Sequence, residues 1–282
     1  MPDLVDGRCL TSVLLEPVDG TDDVPAAVRS IPRTLAALAV SSRGAGPLRL
    51  TDHDIRSALS SDGSVATGLP FSWSARTARR ALGLDAVRSL LSGEAKTPAH
   101  AVGATLARMA RVRSGDRPSS SMEVWVAGLP AGARSAAEAE AVTWATRLWN
   151  ALDWTAFPSP PLIGRDHWWD SPHSSLLALR SRAEVRSVVP GEQPATVHLV
   201  VLGGTRRPTV RSELCVVALV EALRAGRSAP PGRVVGWWPD SGHIARVDVN
   251  RAALDEGVAA VAQTLGTGSP RARTGGGTGK AA

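Results

Sequence analysis

Three carboxylates have the residue type for metal-assisted chemistry if a fold brings them together: Glu140 in "AAEAEAV", Glu184 in "RAEVR" and Glu213 in "RSELC". Acids that converge on one point can hold Mg²⁺ or Mn²⁺, which then stabilises the charge building on a phosphate under attack. A lone carboxylate binds Mg²⁺ poorly, because the ion is reluctant to give up its water. A second set, Asp166, His167, Asp170 and His173 in "RDHWWDSPH", has the residue types that bind zinc or manganese. Its spacing matches no standard motif, and nearby prolines suggest an irregular loop with Trp168 and Trp169 anchoring it and Asp170 starting a turn. No metal ligand set is therefore expected from composition and spacing.

Arginines offer a different chemistry. Arg76, Arg79 and Arg80 in "SARTARRALG" recur at helical spacing, and Arg206 and Arg207 follow a Gly-Gly turn in "VLGGTRRP". Such a face could contact phosphates, with the helix and its successor as a helix-turn-helix, or it could be a solvated helix face. "VLGGTRRP" lacks the GK[ST] ending of a nucleotide P-loop. Neither a G-x-S-x-G nucleophile elbow nor an H-E-x-x-H zinc helix occurs. In "GWWPDSGH", strand alternation puts Trp237 and Trp238 on opposite faces, one in the core and the other packed under a helix or free to stack on a base.

Composition sets the frame for these residues. The 282-residue chain is 43% apolar and 21% charged, ordinary values for a globular protein with a sizeable core. Its formal charge of +6 and pI of about 10.7 make a polyanion such as nucleic acid a reasonable partner. Nearly all the cations are arginine, since Lys96 and Lys280 are the only lysines, and tyrosine is absent. That bias resembles GC-rich coding, so part of the basic charge need not signify binding. Cys9 and Cys215 form no redox or metal spacing, and Cys215 reads as a small core residue. The start "MPDLVDGRCL" does not read as a signal peptide, and no run approaches the ~18 apolar residues of a membrane span. A cytoplasmic protein without membrane contact is expected.

The elements that must position these groups follow from patterning. "CLTSVLLEPV" reads as a strand and "IPRTLAALAV" as a short helix starting near Pro32. Thr51 caps a helix over "DHDIRSALS", Gly93 closes one over "SARTARRALGLDAVRSLLSG", and Thr97-Pro98 opens the next. Residues 1–115 form a mostly helical region, 116–134 a linker or strand, and 267–282 a disordered tail. Between them, 135–266 reads as an α/β core. It opens on a long helix from about Ser135 to Asp153, striped by Val142, Ala145, Leu148, Trp149 and Leu152. A strand over Leu176 to Pro190, the buried strand "TVHLVVLGG" and the helix "TVRSELCVVALVEALRAG" come next. "GRVVGWWP" and "HIARVDVN" then form a hairpin around the turn "PDSG", and Asn250 caps a last helix. The fold class is α/β (α+β): a C-terminal mixed sheet flanked by helices behind a mostly helical N-terminal region.

That order of elements resembles the PD-(D/E)XK nuclease superfamily, most closely its RecB-like branch. In that family a helix glutamate, a strand acid and an acid-x-Lys on the next strand hold metal and orient the attacking water. The resemblance, covering roughly Ser135 to Leu265, places Glu140 as the helix glutamate, Glu184 near the first metal-binding acid and Glu213 at a polar helix position. The acid-x-Lys position falls on Val201 to Gly203, which carry neither acid nor lysine. The expectation is a restriction-endonuclease-like core without catalysis, binding nucleic acid or a protein partner through Arg76, Arg79, Arg80, Arg206 and Arg207. One alternative is an active nuclease with a relocated site at Glu140, Glu184 and Glu213, requiring Mg²⁺ or Mn²⁺ and an arginine such as Arg206 in place of the lysine. The other is a structural partner subunit whose charge is coding bias. The plainer reading of the acids makes Glu184 a solvated strand residue and Glu213 an exposed acid at a helix N-terminus.

Overall fold

Alternating apolar residues make strands, and apolar stripes at helical spacing make the layers that cover them. The computed structural model describes residues 10–18, 23–42, 47–60, 73–111, 121–164, 166–189, 195–225 and 229–266. In chain order the elements are α1 (Leu10–Leu15), α2 (Val24–Ser41), β1 (Leu48–Leu50), α3 (Asp52–Leu59), α4 (Ala75–Leu91), α5 (Pro98–Met109), α6 (Met122–Ala127) and α7 (Ala131–Ala151). A short 3₁₀ turn (Trp154–Ala156) leads to β2 (Leu162–Ile163), β3 (Asp166–Asp170), β4 (Leu177–Arg182), β5 (Val185–Val189) and β6 (Ala195–Val201). Then come α8 (Val210–Ala225), β7 (Pro231–Trp237), β8 (Ile244–Asp248) and α9 (Arg251–Gly266).

Among the described residues the strands form two sheets. The larger has the order β2-β5-β6-β7-β8, antiparallel except for the parallel pair β6-β7. A parallel pair needs a crossover, and α8 supplies it. The smaller sheet has the order β1-β4-β3, with β1 parallel to β4 and β3 antiparallel to it. Val197 and Leu199 of β6 pack with Leu84, Trp144 and Leu148 of α4 and α7. Val200 and Leu202, on the other face, pack with α8, α9 and the buried side of the smaller sheet. Full burial of each Leu or Val in these layers stabilises the fold by about 1.5–3 kcal/mol.

Local sequence explains the ends of several elements. Thr51 and Asp54 form a reciprocal capping box at α3, Thr97 accepts the His100 N–H at α5, and Asn250 accepts the Ala253 N–H at α9. Gly242, at φ +71°, turns the β7–β8 hairpin where a side chain would be strained. The mixed α/β class with helices flanking mixed sheets is thus observed, and among the described residues no helix is long and apolar enough to cross a membrane.

Several expectations need correction. Within the strand expected over Cys9 to Val18, Leu10–Leu15 is helix α1, because Leu10, Val13 and Leu14 share a helical face against the larger sheet; Cys9 lies outside the described residues. Pro32 lies inside α2 rather than at its start, since Val24, Ala27, Ile31, Leu35 and Ala39 form one continuous buried stripe. Within 116–134, expected as linker or strand, Met122–Ala127 is helix α6 and α7 begins at Ala131; 112–120 lies outside the described residues, as does the expected tail at 267–282. Within the expected loop, Asp166–Asp170 is strand β3. The strand expected over Leu176 to Pro190 is two strands in different sheets, β4 and β5, divided at Ala183-Glu184. A period of two persists through that division and cannot reveal that the chain has changed partners. Trp237 and Trp238 do face opposite ways, but both are buried, in different halves of the core.

Candidate functional site

A cleft of about 1120 Å³ opens between α4 and α7 on one side and α3, the end of β6 and the start of α8 on the other. Its wall carries arginines from α3, α4, α7 and β4, with acids interleaved among them. Arg76, Arg79, Arg80, Glu140 and Glu213 all line it. The helical spacing of the α4 arginines thus places them in one concave surface.

Glu184 lies behind this surface, bonded to the cleft-lining Arg80 and Arg182, and is fully buried rather than solvated. It sits at the step from the smaller sheet to the larger, where its backbone N–H donates to Leu199 O at 2.7 Å. Its Oε2 accepts the Val201 N–H at 2.7 Å, at the end of β6. Its Oε1 accepts from Arg80 Nε at 2.5 Å and from Arg182 Nε at 3.3 Å. Burial alone would push this carboxyl pKa up, but the Arg80 and Arg182 guanidiniums outweigh it and hold the pKa below the usual range. Glu184 is an anion whose two oxygens already take three donors.

The neighbouring charges extend the same arrangement. Arg180 Nη2 donates to Asp52 Oδ1 at 2.5 Å, and Arg182 Nη1 lies 3.6 Å from Asp52 Oδ2. Asp166 lies 3.6 Å from Arg80 Nη2 and 3.7 Å from Arg180 Nη1. Burial likewise opposes the charge on Asp52, and Arg182 and Arg180 more than offset it. Residues from α3, α4, β3 and β4 thus form one alternating lattice of guanidinium and carboxylate around Glu184.

The other two candidate acids are also engaged. Glu213, in the first turn of α8, is buried rather than exposed. Arg207 grips it with two bonds of 2.5 Å, Thr209 Oγ1 donates at 2.9 Å and Arg56 Nε at 3.2 Å. Burial pushes its pKa up, while the Arg207 pair pulls it further down. Glu140 is exposed on α7, 3.6 Å from Arg79. Of the five expected phosphate-contacting arginines, Arg79, Arg80 and Arg207 therefore already face carboxylates. Arg76 and Arg206 are exposed, with no ion pair among the described residues.

A divalent metal does not fit this arrangement. Metal-bound carboxylate oxygens must be free to coordinate, whereas Glu184 and Glu213 spend theirs on guanidiniums and N–H groups. Among the described residues no group of three or more His, Cys, Asp or Glu could hold a metal ion. The "RDHWWDSPH" set is dispersed by strand alternation: Asp166 faces the cleft, while His167 faces α8 and Glu221.

A second polar cluster went unrecognised in the sequence. Glu221, a single acid in the apolar run of α8, accepts from Ser181 Oγ at 2.5 Å and from Arg186 Nη2 at 2.9 Å. His167 Nδ1 lies 3.0 Å from its other oxygen. These partners come from β3, β4 and β5, so Glu221 ties both sheets to α8 at the step where the chain changes sheet. His198 is buried beside them, its Nε2 3.0 Å from Thr196 Oγ1, and burial pushes its pKa down to about 4. The legible signals were a lone acid inside "VVALVEAL" and a lone arginine inside "VRSVV". For the cleft, Arg180, Arg182 and Glu184 at spacings of two pointed to a shared face.

No family model, curated protein or solved structure matches this chain.

Proposed function

We propose that this chain is a non-catalytic protein with a nuclease-like core that binds nucleic acid along the cleft. The nuclease-like reading is supported by the order β5, β6, α8, β7, β8, α9 that follows the long helix α7, with β2, β3 and β4 intervening between α7 and β5. It is also supported by Glu184 reaching the end of β6, where that family's acids and lysine meet. The observation that carries the non-catalytic reading is that Arg80 and Arg182 occupy Glu184 where a metal would have to sit. Positive charge is supplied there by fixed guanidiniums, which suit binding and cannot activate water as a metal does.

Binding falls to cations not already spent. Arg76 at the cleft and Arg206 after β6 are exposed and without carboxylate partners among the described residues. The test is a titration of labelled oligonucleotides in chelator at ~50 to ~200 mM salt, a range over which several phosphate contacts produce a steep loss of affinity. Metal-free, salt-sensitive binding that weakens in an Arg76→Ala, Arg206→Ala double variant is the expected result. Absence of binding at the lowest salt would remove nucleic acid as the ligand.

A further inference from the structure

The smaller sheet has one face in the core and one face open toward the cleft. Leu48, Leu50, Leu177, Leu179 and Trp169 take the buried side. Alternation puts Arg49, Trp168, Arg180 and Arg182 on the other, with Asp166 and Asp170. Arg180, Arg182 and Asp166 line the cleft. Trp168 pairs directly with Arg180 and is the next position outward along β3 from Asp166. The cleft wall therefore continues onto a half-buried indole.

That indole is held as a platform. Arg224 Nε donates to the Trp168 carbonyl at 3.1 Å, fixing the backbone. The Arg49 guanidinium lies 4.3 Å from the ring centroid. Arg180 approaches the ring at 5.9 Å, but its charge already faces Asp52 and Asp166. Arg49 is exposed and has no carboxylate partner among the described residues. A guanidinium stacked on an indole keeps its in-plane N–H groups available for an oxyanion.

We propose that Arg49 and Trp168 form a second contact point for a single nucleic-acid strand emerging from the cleft, with a base stacking at Trp168 and a phosphate on Arg49. This rests on the nucleic-acid reading of the cleft and adds the class of strand. Bases of a duplex are stacked on one another and cannot reach such a platform, whereas unpaired bases can. Asp170 lies in the same cross-strand row as Arg49, two strands away and so ~10 Å distant. Its charge repels phosphates toward the β1 edge, the side that Arg49 occupies.

The test compares wild type, Arg49→Ala, Trp168→Ala, Trp168→Phe and Arg76→Ala. The probes are labelled ~20-nucleotide single strands, the same strand lacking bases in its middle, and a duplex, at fixed salt. Trp168→Ala should weaken the base-bearing strand about tenfold, with substantial rescue by Trp168→Phe and little change for the base-free strand. Arg49→Ala should weaken both strands several-fold and reduce the salt slope by about 0.7, the value for one lost single-strand contact. Rescue by phenylalanine separates stacking from misfolding. If Arg76→Ala weakens binding while the Arg49 and Trp168 variants bind like wild type, the second contact point is wrong and the cleft reading stands. Duplex bound as tightly as single strand also overturns it. If wild type binds no probe, the cleft reading fails and takes this contact with it.

Discussion

Arg80 and His198 show how single residues set the chemistry here. Arg80 is mostly buried and holds a fully buried carboxylate, so its removal leaves Glu184 with Arg182 and one backbone N–H. Stranding a buried charge costs about 3 kcal/mol, so Arg80→Ala should lower the urea midpoint markedly. Arg76→Ala, at an exposed position, should change stability by less than ~0.5 kcal/mol. His198 makes a prediction in pH. Its folded pKa of about 4 lies below the ordinary value of 6.5, so between those values the unfolded chain binds more protons than the folded one. Stability should therefore be complete above pH ~6.5 and fall on acidification toward pH ~4, by on the order of 3 kcal/mol. Burial lowers the His167 pKa as well, which adds loss of the same sign. Unfolding by urea at neutral and mildly acidic pH checks this, and His198→Asn should flatten the dependence.

At the scale of elements, the close approach of α8 and α9 rests on a glycine. A Cβ on Gly257 would lie 2.6 Å from the Cys215 carbonyl oxygen, a backbone atom that cannot swing aside. Gly257→Ala should therefore destabilise the protein by about 1–3 kcal/mol, measurable as a lower Tm, despite alanine's better helix propensity. The same scale explains what sequence could reveal. The α8 run, the cap at Thr51, the Asn250 cap and the "PDSG" turn were legible because each depends on neighbours within a few residues. The division of one alternating run into β4 and β5 was not, because alternation records which face is apolar and not which sheet receives it. Likewise, the burial of Glu184 depends on Arg80, more than a hundred positions earlier, and no local pattern carries that contact.

For the whole molecule, the central feature is where positive charge is spent and where it is not. The net charge of +6 suggested a polyanion, but it could not say which arginines were available. The fold directs Arg80, Arg182 and Arg207 onto buried acids, and leaves Arg49, Arg76 and Arg206 exposed. The candidate acids were legible as residue types, whereas their neutralisation appears only once α3, α4 and the smaller sheet close around the end of β6. The proposed reading, arginines on Glu184 in place of a metal, makes a sharp distinction between holding a strand and cutting it. The most direct measurement incubates labelled single- and double-stranded DNA and RNA with the protein, in Mg²⁺, in Mn²⁺ and in chelator, with Glu184→Ala protein as the control for contaminating nucleases. A protein that holds a strand without cutting it leaves intact strands under every condition and retarded complexes that salt dissolves. Cleavage that requires metal and is lost in Glu184→Ala would contradict it, and would mean that the Arg80 and Arg182 contacts open to admit a metal at Glu184.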